Sequence, residues 1–186
     1  MKNDSPLNRR VTPQTPIRMA GPRAHIQDIR AQMVTRWETA CSMSRGTLNN
    51  CGHGKTPWGT YLTCEENWAF FFRRSPADDS RRSPRELISF KRYGIAGKGA
   101  YLWATVQPDA GDNRFGRWDA SVTGTSSDGS DDYRNAPNTF GWVVEIDPFD
   151  PTSTPRKRTA LGRFAHEGAW PGPVIPGQPQ IGRAHV

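Results

Sequence analysis

Long apolar runs are what this chain most lacks. No stretch of about 18 apolar residues occurs anywhere in it, which excludes a membrane-spanning helix. The opening residues, MKNDSPLNRR, contain no apolar core of the kind a signal peptide needs. Hydrophobic residues make up 34% of the 186, and mean hydropathy is -0.75. With 18 glycines and 16 prolines alongside, this composition suits a loop-rich β protein better than a helical one. The length is enough for one domain with a real core. Cysteine is scarce and odd in number, at three. Internal repetition of the kind that marks propeller blades is absent. Two short motifs are incomplete. Gly54-Lys55-Thr56 resembles the end of a phosphate-binding loop, but Asn49 stands where its first glycine must be. The run DGSDD at 128–132 lacks the ligand order of an EF-hand.

Acidic residues are outnumbered, 18 against 25 basic, which leaves a net charge of +7. The basic residues gather in 9–36 and 73–92. Two solvated loops are the simplest account of them. A basic rim that attracts an anionic substrate is the functional alternative. Nucleic-acid binding has less support, because no recognition motif and no regular basic–aromatic interleaving accompanies the charge.

Several short strands separated by Pro and Gly argue for an all-β chain. Residues 58–63 predict a strand. So do 100–106 (AYLWATV), rich in aromatic and β-branched residues, and 159–164. Residues 142–147 (WVVEID) alternate, with Trp142, Val144 and Ile146 on one face and Val143, Glu145 and Asp147 on the other. A solvated face is the default for Glu145 and Asp147, and core for Trp58, Trp68, Trp103 and Trp142. Residues 67–73 (NWAFFFR) read as a strand or an irregular aromatic cluster. A short helix is predicted within 25–39, loops over 75–85 and 108–137, and a turn over 147–155. Residues 1–45 form an irregular Pro- and Arg-rich segment.

What is present is concentrated in 46–68, GTLNNCGHGKTPWGTYLTCEENW. Two cysteines, Cys51 and Cys64, one histidine, His53, and the pair Glu65-Glu66 flank one strand. Soft and hard metal donors therefore lie at both of its ends. Cys51 and Cys64 are free to pair as a disulfide, or to divide into a ligand and a buried thiol. On an extended chain Glu65 and Glu66 point to opposite faces. One of them faces a site, and Glu65 is left as solvated or as a supporting group. His53 and His166 orient carboxylates or are ordinary loop histidines. Lys55 and Arg163 are not assigned to phosphate.

This stretch resembles the signature of the PhoX-type bacterial alkaline phosphatases. Three later blocks resemble the same family in the same order: NTFGWVVEIDPFDP at 138–151, KRTALGRFAHEGA at 157–169 and WPGPVIPGQP at 170–179. Residues 12–22 also fit, and 24–44 fit poorly. The resemblance implies a partial β-propeller over 46–180, six-bladed in the intact family, with a few short helices. It implies a cluster of Fe³⁺ and Ca²⁺ ions with Cys51, Glu66 and Glu167 among the ligands. A metal-bridging oxide is then the nucleophile, so no protein residue need attack. Small phosphate esters are the expected substrates, without nucleic acid or a membrane span.

Twin-arginine export to the periplasm or outside follows for the parent protein, with its signal upstream and Met1 an internal codon. The last six residues, IGRAHV, are what the triplets of a common sequencing adapter encode. Residues 181–186 are therefore read as an artefact, with the true chain continuing past Gln180. Further ligands would follow there, so the piece alone is expected to be inactive. The main alternative is a non-catalytic calcium-binding β-propeller protein. A thiol hydrolase using Cys51 with His53 as base is a further possibility, though residues two apart on a loop rarely supply that geometry.

Overall fold

A computed structural model describes residues 4–106 and 114–177, and the backbone of 182–185. Its strands are β1 (Pro16–Ala20), β2 (Met43–Arg45), β3 (Asn50–Lys55), β4 (Tyr61–Glu65), β5 (Val143–Ile146), β6 (Arg156–Arg158), β7 (Gly168–Pro171) and β8 (Gly182–His185). Six of them form one open, mixed sheet in the order β2-β1-β6-β5-β4-β3, and β7 pairs with β8 in a separate hairpin. β1 runs parallel to β6, and the other pairs of the sheet are antiparallel. The structure is thus mostly sheet with a few short helices. The chain divides into two compact units.

The first unit comprises Met1–His25, Met43–Glu66 and Gly141–Val186, and holds all eight strands of the described residues. β4 (YLTCE) and β5 (VVEI) are apolar and β-branched enough to run through the middle of a sheet. Their register, Thr63↔Val144 and Cys64↔Val143, decides which side chains share a face. On one face Leu62, Cys64 and Val143 meet Ala169 of β7, with Leu161 packed against them. On the other, Lys157 Nζ lies 2.8 Å from Glu65 Oε1, both side chains fully buried. Glu65 Oε2 also accepts from the backbone N–H of Gly141 at 2.9 Å and of Trp142 at 3.1 Å. Glu65 is therefore not solvated. It is an internal tie between β4, β6 and the start of β5.

The second unit comprises Ile26–Ser42 and Asn67–Phe140. Its described residues form helices α1 (Gln27–Ala31) and α2 (Pro84–Tyr93), short 3-10 turns and loops. Trp68, Phe71, Phe72, Trp118 and Phe140 fill its centre, with rings such as Phe72 and Trp118 at 5.2 Å. The aromatic-cluster reading of 67–73 is the one realised, on a 3-10 turn at Trp68–Phe71. The basic run 73–92 is only partly a solvated loop. Arg74 and Arg82 are buried, both pair with Asp78, and both lie over the Phe90 ring. Asp78 loses solvation, yet bonds from Arg82 and Val122 N–H outweigh that and hold its carboxyl below its usual range. α2 follows, started by a capping box in which Ser83 and Glu86 satisfy each other's backbone N–H.

Several sequence expectations shift. The strand expected at 58–63 begins at Tyr61, because Pro57 and Gly59 sit in the turn before it. Residues 100–106 form no strand but a 3-10 turn, Trp103–Thr105, with Leu102 at φ 58. Strand β6 lies at Arg156–Arg158, and Thr159–Leu161 are a 3-10 turn. The helix expected within 25–39 is only five residues long. Trp68 and Trp142 are core and Trp103 is half-buried, whereas Trp58 is 65% exposed. Of the loop at 108–137, residues 108–113 lie outside the described residues.

Candidate functional site

The site starts from an irregularity in β3. Asn50 pairs with Glu65 and His53 with Thr63, so Cys51 and Gly52 together oppose the single residue Cys64. This is a β-bulge, which re-aims a side chain that strict alternation would send to the other face. Cys51 thereby joins the face of Cys64, the face on which Glu66 follows one repeat later. Asn49, just before the bulge, sits at φ 49, and its carbonyl accepts from Glu66 N–H at 3.1 Å. Asparagine tolerates that left-handed backbone better than most residues.

Two glycines then let β7 approach. The backbone N–H of Gly52 donates to the Glu167 carbonyl at 2.5 Å. A Cβ on Gly52 would stand 2.3 Å from that oxygen, and one on Gly54 would stand 1.8 Å from the Ala169 carbonyl. Neither position has room for a side chain while β7 stays where it is. The alternation Cys51-Gly52-His53-Gly54 is thus a crossing surface, and it brings Glu167 beside Cys51.

The resulting group consists of an exposed thiol, a half-buried carboxylate and an exposed carboxylate. The Cys51 thiol donates to the Glu66 carboxylate, and that bond raises its pKa. Desolvation and the charges of Glu66 and Glu167 push the same way, and the Gly52 N–H opposes them. Negative charge therefore accumulates around a thiol that is held protonated. Among the described residues, however, no three His, Cys, Asp or Glu side chains lie close enough together to enclose a metal ion. The donor chemistry fits a cation in part: a thiol and a carboxylate already share a proton where a cation would neutralise both. The three donors do not close into a full coordination shell.

The other residues near the site separate clearly. Cys41, Cys51 and Cys64 are free thiols, so the disulfide alternative is not realised. Cys64 is fully buried, and burial, followed by the charges of Cys51 and Glu65, pushes its thiol up to about 11. That is the behaviour of a structural thiol. His53 stacks on Tyr61, with ring centroids 5.7 Å apart, and lies 6.0 Å from Trp170. A raised thiol pKa and a histidine occupied in ring stacking do not make a thiol–imidazole nucleophile. Lys55 is exposed at the end of β3.

Glu145 is not on a solvated face. It is buried, accepts from Trp58 Nε1 at 2.9 Å and Thr60 Oγ1 at 2.6 Å, and pairs with Arg158. Burial alone would raise its pKa, but the bonds from Arg158, Thr60 and Trp58 outweigh burial and lower it. His166 is fully buried, with Nε2 donating to the Gly162 carbonyl at 3.0 Å, and burial lowers its pKa against the pull of that bond. Sequence reasoning overlooked Gly52, Gly54 and Asn49 as site-forming residues. The Gly-His-Gly alternation was the available sign.

Fold and site together define an open mixed sheet with a thiol–carboxylate cluster at one edge strand. The family model for "Alkaline phosphatase PhoX" matches residues 1–178, and the chain belongs to that family. The match runs through 24–44, where the motif resemblance is poor. A solved structure described as Pseudomonas fluorescens PhoX in complex with vanadate, a transition state analogue, is similar, with 38% identity and a TM-score of 0.66. The match covers 90% of this chain and 24% of that one, so the chain spans about a quarter of its length. Comparison with curated proteins gives no match. Among the described residues no helix is long and apolar enough to cross a membrane.

Proposed function

We propose that this chain is part of a metal-dependent phosphatase acting on phosphate monoesters, and that Cys51, Glu66 and Glu167 are ligands in its iron- and calcium-binding site. The observation that supports this reading is the hydrogen bond between the Cys51 thiol and the Glu66 carboxylate, with the charge of Glu167 also felt at that thiol. The residues come from β3, the end of β4 and the turn before β7, where the bulge and two glycines let the Glu167 backbone approach β3. Bound Fe³⁺ and Ca²⁺ would supply positive charge to a phosphoryl group whose equatorial and leaving oxygens become more negative in the transition state. The chain's own part is to position donors. Cys51 would give up its proton on binding a cation, since metal ligands bind deprotonated. The Gly52 bond keeps Glu167 against β3, and the Asn49 bond keeps Glu66 at the end of β4.

The open sheet is read as a portion of a six-bladed β-propeller in the parent protein. Further ligands lie outside these residues, and the piece alone is inactive. Export by the twin-arginine route to the periplasm belongs to the same reading. So does the assignment of 181–186 to an adapter sequence. Of that segment only the backbone of β8 is described, with Ile181 and Val186 outside the described residues. Resequencing the locus tests it, and a genomic stop codon directly after Val186 overturns it.

The test of function uses the protein expressed from the uninterrupted gene. Metal analysis should find iron and calcium, and a generic aryl phosphate should release phosphate. Vanadate, described as a transition state analogue on the similar structure, should inhibit. Cys51→Ala and Glu167→Gln should each lower iron content and activity together. Metal-replete protein with no phosphate release rejects the reading. Retained calcium with no iron favours the non-catalytic calcium-binding protein instead.

A further inference from the structure

We infer that His166 is a positioning residue, which holds Glu167 against β3 by clamping the turn that precedes it. The inference takes from the proposed function only that Glu167 is a working member of the site. His166 is fully buried while its neighbour Glu167 is exposed. A carbonyl oxygen can only accept, so the bond from Nε2 to Gly162 at 3.0 Å places the ring proton on Nε2. The ring packs on Phe164, with centroids 3.6 Å apart. The backbone N–H of His166 donates to the Phe164 carbonyl, and that of Phe164 to the Gly141 carbonyl, each at 3.1 Å. The turn is thus tied at one end to the start of β5. At the other end Glu167 accepts from Gly52 of β3. The imidazole bridges the turn between these two attachments.

The ring's second nitrogen distinguishes histidine from an apolar side chain of the same size. Nδ1 is buried, with no hydrogen-bond partner among the described residues. A buried acceptor left unpaired costs free energy that an aliphatic side chain would avoid. Leucine would fill the same space without that cost. It could not make the bond to Gly162, which spans the turn just before Glu167.

The test is amide hydrogen exchange, read residue by residue by mass spectrometry, on the protein expressed from the uninterrupted gene. In His166→Leu the Gly52 amide should exchange at least about tenfold faster, while the amides of Thr63 and Val144 in β4 and β5 keep their protection. His166→Gln, whose amide nitrogen reaches where Nε2 stood, should restore Gly52 to within about threefold of the parent. His166→Asn falls short of Gly162 and should behave like the leucine variant, so it serves if leucine is not tolerated. Unchanged Gly52 exchange in both the Leu and Asn variants overturns the inference. So does an equal loss of protection across β4 and β5, which is what a general structural role would produce.

A cobalt(II) titration, read by thiolate-to-cobalt absorption, separates this from the site reading. Losses from His166→Leu and Glu167→Gln should be non-additive if one acts through the other, and additive losses count against the positioning role. If Glu167→Gln leaves cobalt binding unaltered, the ligand assignment fails, while the exchange result still decides the role of His166.

Discussion

The buried Lys157–Glu65 pair offers the sharpest test of how the sheet is held together. Both side chains are fully buried, with Nζ and Oε1 2.8 Å apart. Lys157→Met keeps the volume and removes the cation. The carboxylate is then left in the interior with two neutral donors among the described residues, the N–H groups of Gly141 and Trp142. Breaking one side of a buried pair costs about 3–5 kcal/mol. That is a large part of the ~5–15 kcal/mol by which a domain is usually stable. The double variant Lys157→Met with Glu65→Gln should behave differently. Its amide oxygen can still accept from Gly141 and Trp142, and no charge is left buried. Most of the loss should return, to within about 2 kcal/mol of the parent. Lys157→Met with Glu65→Leu should not recover so far, because two backbone N–H groups lose their acceptor at about 1–3 kcal/mol each. Urea denaturation followed by tryptophan fluorescence gives the order directly. If Lys157→Met lies within about 1 kcal/mol of the parent, or the Gln double variant is no better than the single, the reasoning is wrong.

Two further perturbations address the crossing of β7 and the acid limb of stability. Gly54→Ala would place a Cβ 1.8 Å from the Ala169 carbonyl, so β7 must move and stability should fall by about 1–3 kcal/mol. Chemical denaturation, together with faster exchange of the Gly52 amide than in the parent, checks it. Glu145 has a pKa lowered below 4.5, because Arg158, Thr60 and Trp58 outweigh the effect of burial. A depressed folded-state pKa means stability that is present above the unfolded value and lost as pH falls through the folded value. Glu145→Gln should therefore be less stable than the parent near neutrality and lose less between pH 5 and 3, as measured by denaturation midpoints across that range.

The family was legible because four ordered blocks carry it, each with unusual residue types at fixed positions. The separation of Glu65 from Glu66 was also legible, since adjacent residues on a strand must face opposite ways. The destination of Glu65 was not. Lys157, its partner, is 92 residues further along, and no local pattern links them. The same holds for Glu145. Its alternation along β5 suggests a wet face, but Trp58, Thr60 and Arg158 fold over it. Residues 100–106 carry strand propensity and nevertheless form a 3-10 turn, with Tyr101 and Trp103 both packed on the Phe71 ring. Ring packing there outweighs a weak local preference.

Taken alone, the order of residues determined the family and strands such as β4 and β5, because these depend on side-chain chemistry and on neighbours in the chain. Tertiary structure decided which of these side chains meet. A one-residue bulge turns Cys51 toward Glu66, and two missing β-carbons let a distant turn bring Glu167 alongside. Strand register and the approach of backbones are set by contacts between segments far apart in the chain, so they leave no periodic trace along it.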